Sequence, residues 1–186
     1  MAFLLFLIVF VITYNFGTAR PSVDGDSNSI TNGLIGYSSD EMKFIIPTVI
    51  KPGTIIQIKG KLNKNTANKM FRVALTDNTD TANCKINVDL ETGNITVIPP
   101  LEGNESEIYD LSPVPEIDAQ DFILRIVART YNSKEMLAIF FQINDAGESN
   151  QLICDVETYK NISFIRIQEG VTHVDSLAFE FNTEDH

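Results

Sequence analysis

The sequence predicts an all-β sandwich or barrel, and three observations carry that expectation. Apolar and polar residues alternate in short stretches, no window holds a convincing helical repeat, and Gly, Asn and Pro punctuate the stretches. Over residues 54–62, Ile56, Ile58 and Leu62 share one face while Gln57, Lys59 and Lys61 share the other. Phe71, Val73 and Leu75 alternate with Arg72, Ala74 and Thr76. Cys84, Ile86, Val88 and Leu90 alternate with Lys85, Asn87, Asp89 and Glu91. Period two with one wet face is the pattern of an antiparallel strand laid over a core. Thr92-Gly93 supplies a hairpin turn into a strand over residues 94–98. Residues 122–128, 136–143, 152–156, 162–167 and 176–181 are expected as further strands. Several of these are apolar on both faces, as central strands are when a loop covers the outer side. The acidic stretch 102–121, broken by Pro113 and Pro115 and free of basic residues, is expected as a long connection and not a strand pair.

The 186 residues suffice for one domain with a sizeable core. Residues 1–19 carry no Lys, Arg, Asp or Glu, and the apolar run over residues 2–13 is too short to span a bilayer. It leads into Gly17-Thr18-Ala19, a small-residue pattern suited to signal-peptidase cleavage before Arg20. The expected organisation is a signal peptide over residues 1–19, a flexible Ser/Gly/Asn/Asp-rich leader over 20–43 and one β-domain over 44–183. The expected location is therefore extracellular, with no transmembrane segment after signal removal.

A formal net charge of −11 excludes a general phosphate-backbone binder, which needs clustered Lys and Arg, so nucleic acid is not an expected partner. The same charge disfavours anionic membranes and sulfated or sialylated glycans, and no basic patch is evident along the chain. Cys84 and Cys154 form an even pair, which in an oxidising compartment suggests one disulfide. By parity both point toward the core. A bridge and two buried thiols both remain open, because parity does not fix height along a strand. Sequons stand at Asn94, Asn104 and Asn161 and agree with secretion and surface exposure. If Ile95 and Val97 point inward, Asn94 and Thr96 point outward.

The order of pieces from Ile50 to Phe181 resembles a galectin carbohydrate-recognition domain. Lys51-Pro52-Gly53-Thr54 followed by Ile55-Ile56-Gln57-Ile58-Lys59-Gly60 is similar to the family's Pro-Gly turn and following strand. Lys69-Met70-Phe71-Arg72-Val73-Ala74-Leu75 resembles the next strand, and Asp121-Phe122-Ile123-Leu124-Arg125-Ile126 the strand after the family's binding motifs. Asn161-Ile162-Ser163-Phe164-Ile165-Arg166-Ile167, then Gly170-Val171, then Leu177-Ala178-Phe179, resemble its closing strands. The resemblance implies a galectin-like, concanavalin-type jelly-roll sandwich of two antiparallel sheets. Sugar would lie on the concave sheet, an edge strand would be open to homodimers, and the two cysteines would stand on opposite sheets.

The family's sugar site uses a His-x-Asn-x-Arg strand, an Asn on the next strand, and a Trp-Gly-x-Glu-x-Arg motif. Here the first motif falls on Asn87-Val88-Asp89-Leu90-Glu91, with Asn87 for His, Asp89 for Asn and Glu91 for Arg. The next-strand Asn falls near Pro99. The last motif falls on Glu102-Gly103-Asn104-Glu105-Ser106-Glu107, where Gly103 and Glu105 match. The chain has no Trp, and Glu107 replaces the Arg. Arginine forks and the stacking face are lost together, so the resemblance implies a glycan site diverged from the galactoside motif. Asn87, Asp89, Glu91 and Glu105 are its expected ligand residues, and a glycan on Asn94 would sit on or near it. The expected partners are glycans or glycoproteins. A sandwich that has lost sugar binding and contacts an extracellular protein is the other reading.

Catalysis is not expected. His173, the sole internal histidine, lies in a turn sequence, and no Gly-x-Ser-x-Gly elbow is present. Carboxylates are plentiful, but pairs alone carry little without a cleft. No Asp-x-Asp-x-Asp-Gly spacing suggests calcium, and no cofactor or metal is expected.

Overall fold

The computed structural model describes residues 9–13, 34–38, 41–63, 69–99, 107–110, 119–144 and 151–181. In chain order the strands are β1 (Val9–Thr13), β2 (Leu34–Ser38), β3 (Glu41–Ile45), β4 (Ile55–Asn63), β5 (Met70–Thr76), β6 (Ala82–Asp89) and β7 (Asn94–Ile98). They continue with β8 (Glu107–Asp110), β9 (Ala119–Tyr131), β10 (Lys134–Ile143), β11 (Leu152–Val156), β12 (Phe164–Gln168) and β13 (Val171–Glu180). One sheet of six strands runs β1-β13-β4-β9-β10-β11, and one of seven runs β2-β3-β12-β5-β6-β7-β8. Every pairing is antiparallel. The choice between barrel and sandwich is thus decided for a two-sheet sandwich, as the resemblance implied.

Alternation in the sequence becomes burial in the fold. Ile56, Ile58 and Leu62 of β4 are buried against Phe71, Val73 and Leu75 of β5 and Ile86 and Val88 of β6 within one apolar core. The sheets meet through aromatic rings. Phe71 of the seven-stranded sheet stands 4.9 Å from Phe122 and 5.7 Å from Phe141 of the six-stranded sheet, centroid to centroid. Gly60 makes room for this cluster, because a Cβ there would lie 2.9 Å from the Phe122 ring and 2.4 Å from the His173 carbonyl.

Cys84 of β6 and Cys154 of β11 are bridged, with Cα atoms 6.3 Å apart, which ties the two sheets together across the core. At one end a 3₁₀ turn, Tyr159–Asn161, follows β11. The buried Tyr159 hydroxyl donates to the Arg129 carbonyl and accepts from the Met136 amide at 3.1 Å, joining this turn to β9 and β10.

Five strands depart from the expected pattern. β2 and the start of β3 fall in the stretch expected as a leader, and β8 falls in the acidic connection. β2 and β8 are the edges of the seven-stranded sheet and β3 lies beside β2, where backbone pairing contributes much of the order. β1 lies within residues 1–19, expected as a signal peptide, and pairs along β13. β12 also starts later than the apolar pattern suggested, because residues 159–161 form the 3₁₀ turn first.

The bridge closes a span of 70 residues, so removing it releases unfolded-chain entropy. Cys84→Ser with Cys154→Ser is expected to lower unfolding free energy by roughly 2–4 kcal/mol in denaturant titration, with the strand signature in circular dichroism unchanged.

Candidate functional site

The three family motifs fall on β6, on β7 and immediately before β8, neighbours in the seven-stranded sheet, so its outer face is the candidate site. Cross-strand register lines up that face in rows. One row runs Glu41, Gln168, Arg72, Asn87, Thr96 across β3, β12, β5, β6 and β7. The next runs Lys43, Arg166, Ala74, Lys85, Ile98 across the same strands. The inward neighbours Ile86, Val88, Ile95 and Val97 are fully buried, which fixes Lys85, Asn87 and Thr96 to the outer side.

Of the residues expected to meet ligand, Asn87 stands on this face between Arg72 of β5 and Thr96 of β7. Asp89 lies on the same face but holds the hairpin. Its Oδ1 accepts from the Glu91 amide at 2.8 Å and the Thr92 amide at 3.0 Å, the geometry of a side-chain-capped turn. Partial burial works to raise the Asp89 carboxyl, but the Thr92 and Glu91 amides outweigh it and hold it below its ordinary value. Glu91 is exposed in the turn and pairs with Lys69 at 2.8 Å. Glu105 and the sequon at Asn104 lie outside the described residues. The structure therefore places Asn87 on the outer face and gives Asp89 and Glu91 defined contacts in the turn.

Three neighbours of Asn87 on this face were not among the residues expected to meet ligand. Arg72 faces it from β5 and Thr96 from β7, and Lys85 is two residues along the same strand. Lys85 is exposed and the other two are half-buried. Among the described residues, Lys85, Asn87 and Thr96 make no side-chain hydrogen bond or ion pair. Arg72 does, with Glu169 at 3.3 Å. Glu169 and Gly170 both take left-handed backbone (φ 58° and 71°). A Cβ on Gly170 would come within 2.4 Å of the Met70 carbonyl, so this turn sits directly on the start of β5 and presents Glu169 to Arg72. Ala74, buried and small, separates Arg72 from Thr76 along β5 and lies between Arg166 and Lys85 across strands.

The far end of the face is an ionic network. Arg166 meets Glu41 through two nitrogen–oxygen contacts, the longer 2.8 Å, and lies 3.6 Å from Asp80. Lys43 meets Asp80 at 2.6 Å, and its ammonium lies 4.1 Å from the centre of the Phe164 ring. Asp80 is presented by a turn that Asp77 closes, accepting from the Thr79 amide at 2.8 Å and the Thr81 amide at 2.9 Å. Lys43, Arg72, Lys85 and Arg166 thus gather on one face of an acidic chain. Strand register assembles this basic group from residues up to 123 positions apart (166 − 43), which is why no patch is evident in the linear sequence.

His173, in contrast, sits on β13 of the other sheet with Nε2 2.9 Å from Asp175. Among the described residues no group of three or more His, Cys, Asp or Glu could hold a metal ion.

No protein-family profile and no curated protein matches the chain. Solved structures do. A variant of human galectin-16 is 18% identical, with a TM-score of 0.56 over 75% of this chain and 94% of that one. A toad ovary galectin, solved in complex with thio-digalactose, is 14% identical, with a TM-score of 0.52 over 75% of this chain and 99% of that one. The Caenorhabditis elegans galectin LEC-6 is 15% identical, with a TM-score of 0.52 over 77% and 99%. The chain has the galectin fold.

The Arg166 guanidinium holds the Glu41 carboxyl below its ordinary value, against the effect of burial. The unfolded chain then binds more protons than the folded one through the carboxylate range. The stabilisation is present at neutral pH and is lost as pH falls through that range. Urea titrations from pH 7 to pH 3 should show a smaller loss for Glu41→Gln than for the native chain, by about 0.5–1 kcal/mol.

Proposed function

We propose that this protein is a secreted, non-catalytic carbohydrate-binding domain whose glycan site has diverged from the galactoside motif. The observation that supports it most is the outer-face group of Asn87, Thr96, Lys85 and Arg72. Sugar hydroxyls both donate and accept, and an Asn amide and a Thr hydroxyl do the same, while Lys and Arg add donors. Among the described residues, three of these four side chains have no internal partner for a ligand to displace. Asp89 acts behind them, fixing the hairpin that sets the register of Asn87 against Thr96. Glu105 remains a proposed ligand residue on the strength of the motif alone.

The aromatic ring that the described residues place on this face is Phe164, at the far end under Lys43. Binding would then lean on hydrogen bonds and charge more than on stacking. Lys43, Arg72 and Arg166 are paired with Asp80, Glu169 and Glu41, so Lys85 is the cation this face adds, and neutral glycans are the first ligands to test.

Secretion is proposed from the uncharged apolar start, the sequons and the Cys84–Cys154 bridge, since disulfides persist in oxidising compartments. Cleavage before Arg20 would remove β1 and leave β13 as the edge of the six-stranded sheet, open to pairing with a second copy.

A second reading keeps the sandwich and gives this face to an extracellular protein. The absence of Trp favours it, because the stacking anchor for a sugar is missing. A glycan array probed with the secreted domain separates the two. The lectin reading expects a signal on a defined glycan class, and Asn87→Ala should weaken that signal about tenfold through loss of one bidirectional hydrogen-bonding group. Silence on every glycan, with a partner from extracellular fluid retained after its deglycosylation, favours the protein-binding reading.

A further inference from the structure

Resting on the reading that the outer face of the seven-stranded sheet binds glycan, we propose that Asn94 carries an N-linked glycan which lies over that face and limits access by external ligands. Asn94 is exposed at the first position of β7, directly after the Thr92-Gly93 turn. Its inward neighbour Ile95 is fully buried, so Asn94 and Thr96 share the outer side. Among the described residues its side chain makes no contact that a modification would break.

The sequon overlaps the site. Thr96, the hydroxyl residue that licenses Asn94, is also the β7 member of the row containing Asn87 and Arg72. Same-face residues two apart on a strand are separated by about 7 Å. The first sugar on Asn94 therefore leaves the sheet about one residue pair from the centre of the candidate site. Asn161 supplies a contrast within the same molecule. It is also exposed, but it lies in the 3₁₀ turn before β12, at the Thr76 and Phe164 end of the sheet. Asn94 lies at the opposite end, alongside Asp89 and Met70.

The modification itself needs an oligosaccharide carried on a polyisoprenyl diphosphate in the secretory pathway. The Asn94 Nδ2 forms a bond to the sugar C1 and loses one proton. The bond from C1 to the diphosphate oxygen breaks, and the lipid diphosphate leaves. No oxidant or reductant is involved.

Once attached, the glycan is a tethered competitor at high local concentration. If it covers the face about nine-tenths of the time, apparent affinity for an external glycan falls about tenfold. The test uses the full chain secreted from eukaryotic cells as native, Asn94→Gln and Asn161→Gln forms. Glycopeptide mass spectrometry reads occupancy, thermal melting checks folding, and a glycan array spanning neutral, sulfated and sialylated structures reads binding. We expect Asn94 to be occupied, Asn94→Gln to bind its best glycan about tenfold more tightly than the native form, and Asn161→Gln to match the native form. An unmodified Asn94 overturns the proposal. So does equal binding by native protein and Asn94→Gln, which leaves the lectin reading standing. If no form binds any glycan, the lectin reading fails and the proposal fails with it.

Discussion

Everything in this fold depends on two apolar faces meeting in the middle. Phe71 from one sheet packs against Phe122 and Phe141 from the other, and the Cys84–Cys154 bridge spans the same gap. A strand has only two sides. Burying Ile86 and Val88 leaves Lys85 and Asn87 no place but the outer face, and burying Ile95 and Val97 does the same for Asn94 and Thr96. The core thus decides where the polar chemistry stands. A slip of one residue in β6 would invert it.

On the outer face, polar groups divide into those that hold the fold and those that remain available. Asp77 and Asp89 close turns on either end of β6 by accepting backbone amides. Asp80 and Glu41 are engaged with Lys43 and Arg166, and Glu169 with Arg72. Carboxylates are abundant in this chain, yet these described ones already serve structure. Among the described residues Asn87, Thr96 and Lys85 make no such contact, which makes them the better candidates for contact with a ligand. The division follows from where each residue sits relative to a turn, not from residue type alone.

Much of this was legible in the sequence, and the limits have physical causes. Strands β4 to β7 and β9 to β13 carry period-two or continuous apolar patterns because they face a core. Parity alone placed Phe71 inside and Asn87 outside. β2, β3 and β8 left weaker traces. They lie toward the flanks of the sheet, where backbone hydrogen bonds provide much of the pairing, and Leu34–Ser38 interrupts its short run with Gly36. The site was only half legible. Asn87 could be found from its own strand, but its facing Arg72 comes from β5 and the Arg166 network from β12, joined by register that no local pattern encodes. Asp89 and Glu91 were read as ligand residues by motif alignment, and their roles in the β6–β7 turn became visible only when the turn closed.

The candidate site lies on one face of one sheet. Backbone amide NMR of the isotopically labelled protein, titrated with the glycan that binds best, tests it most directly. Shifts are expected at Arg72, Lys85, Asn87 and Thr96 and their strand neighbours, with the outer face of the six-stranded sheet silent. Shifts confined to β4, β9 and β10 would contradict it.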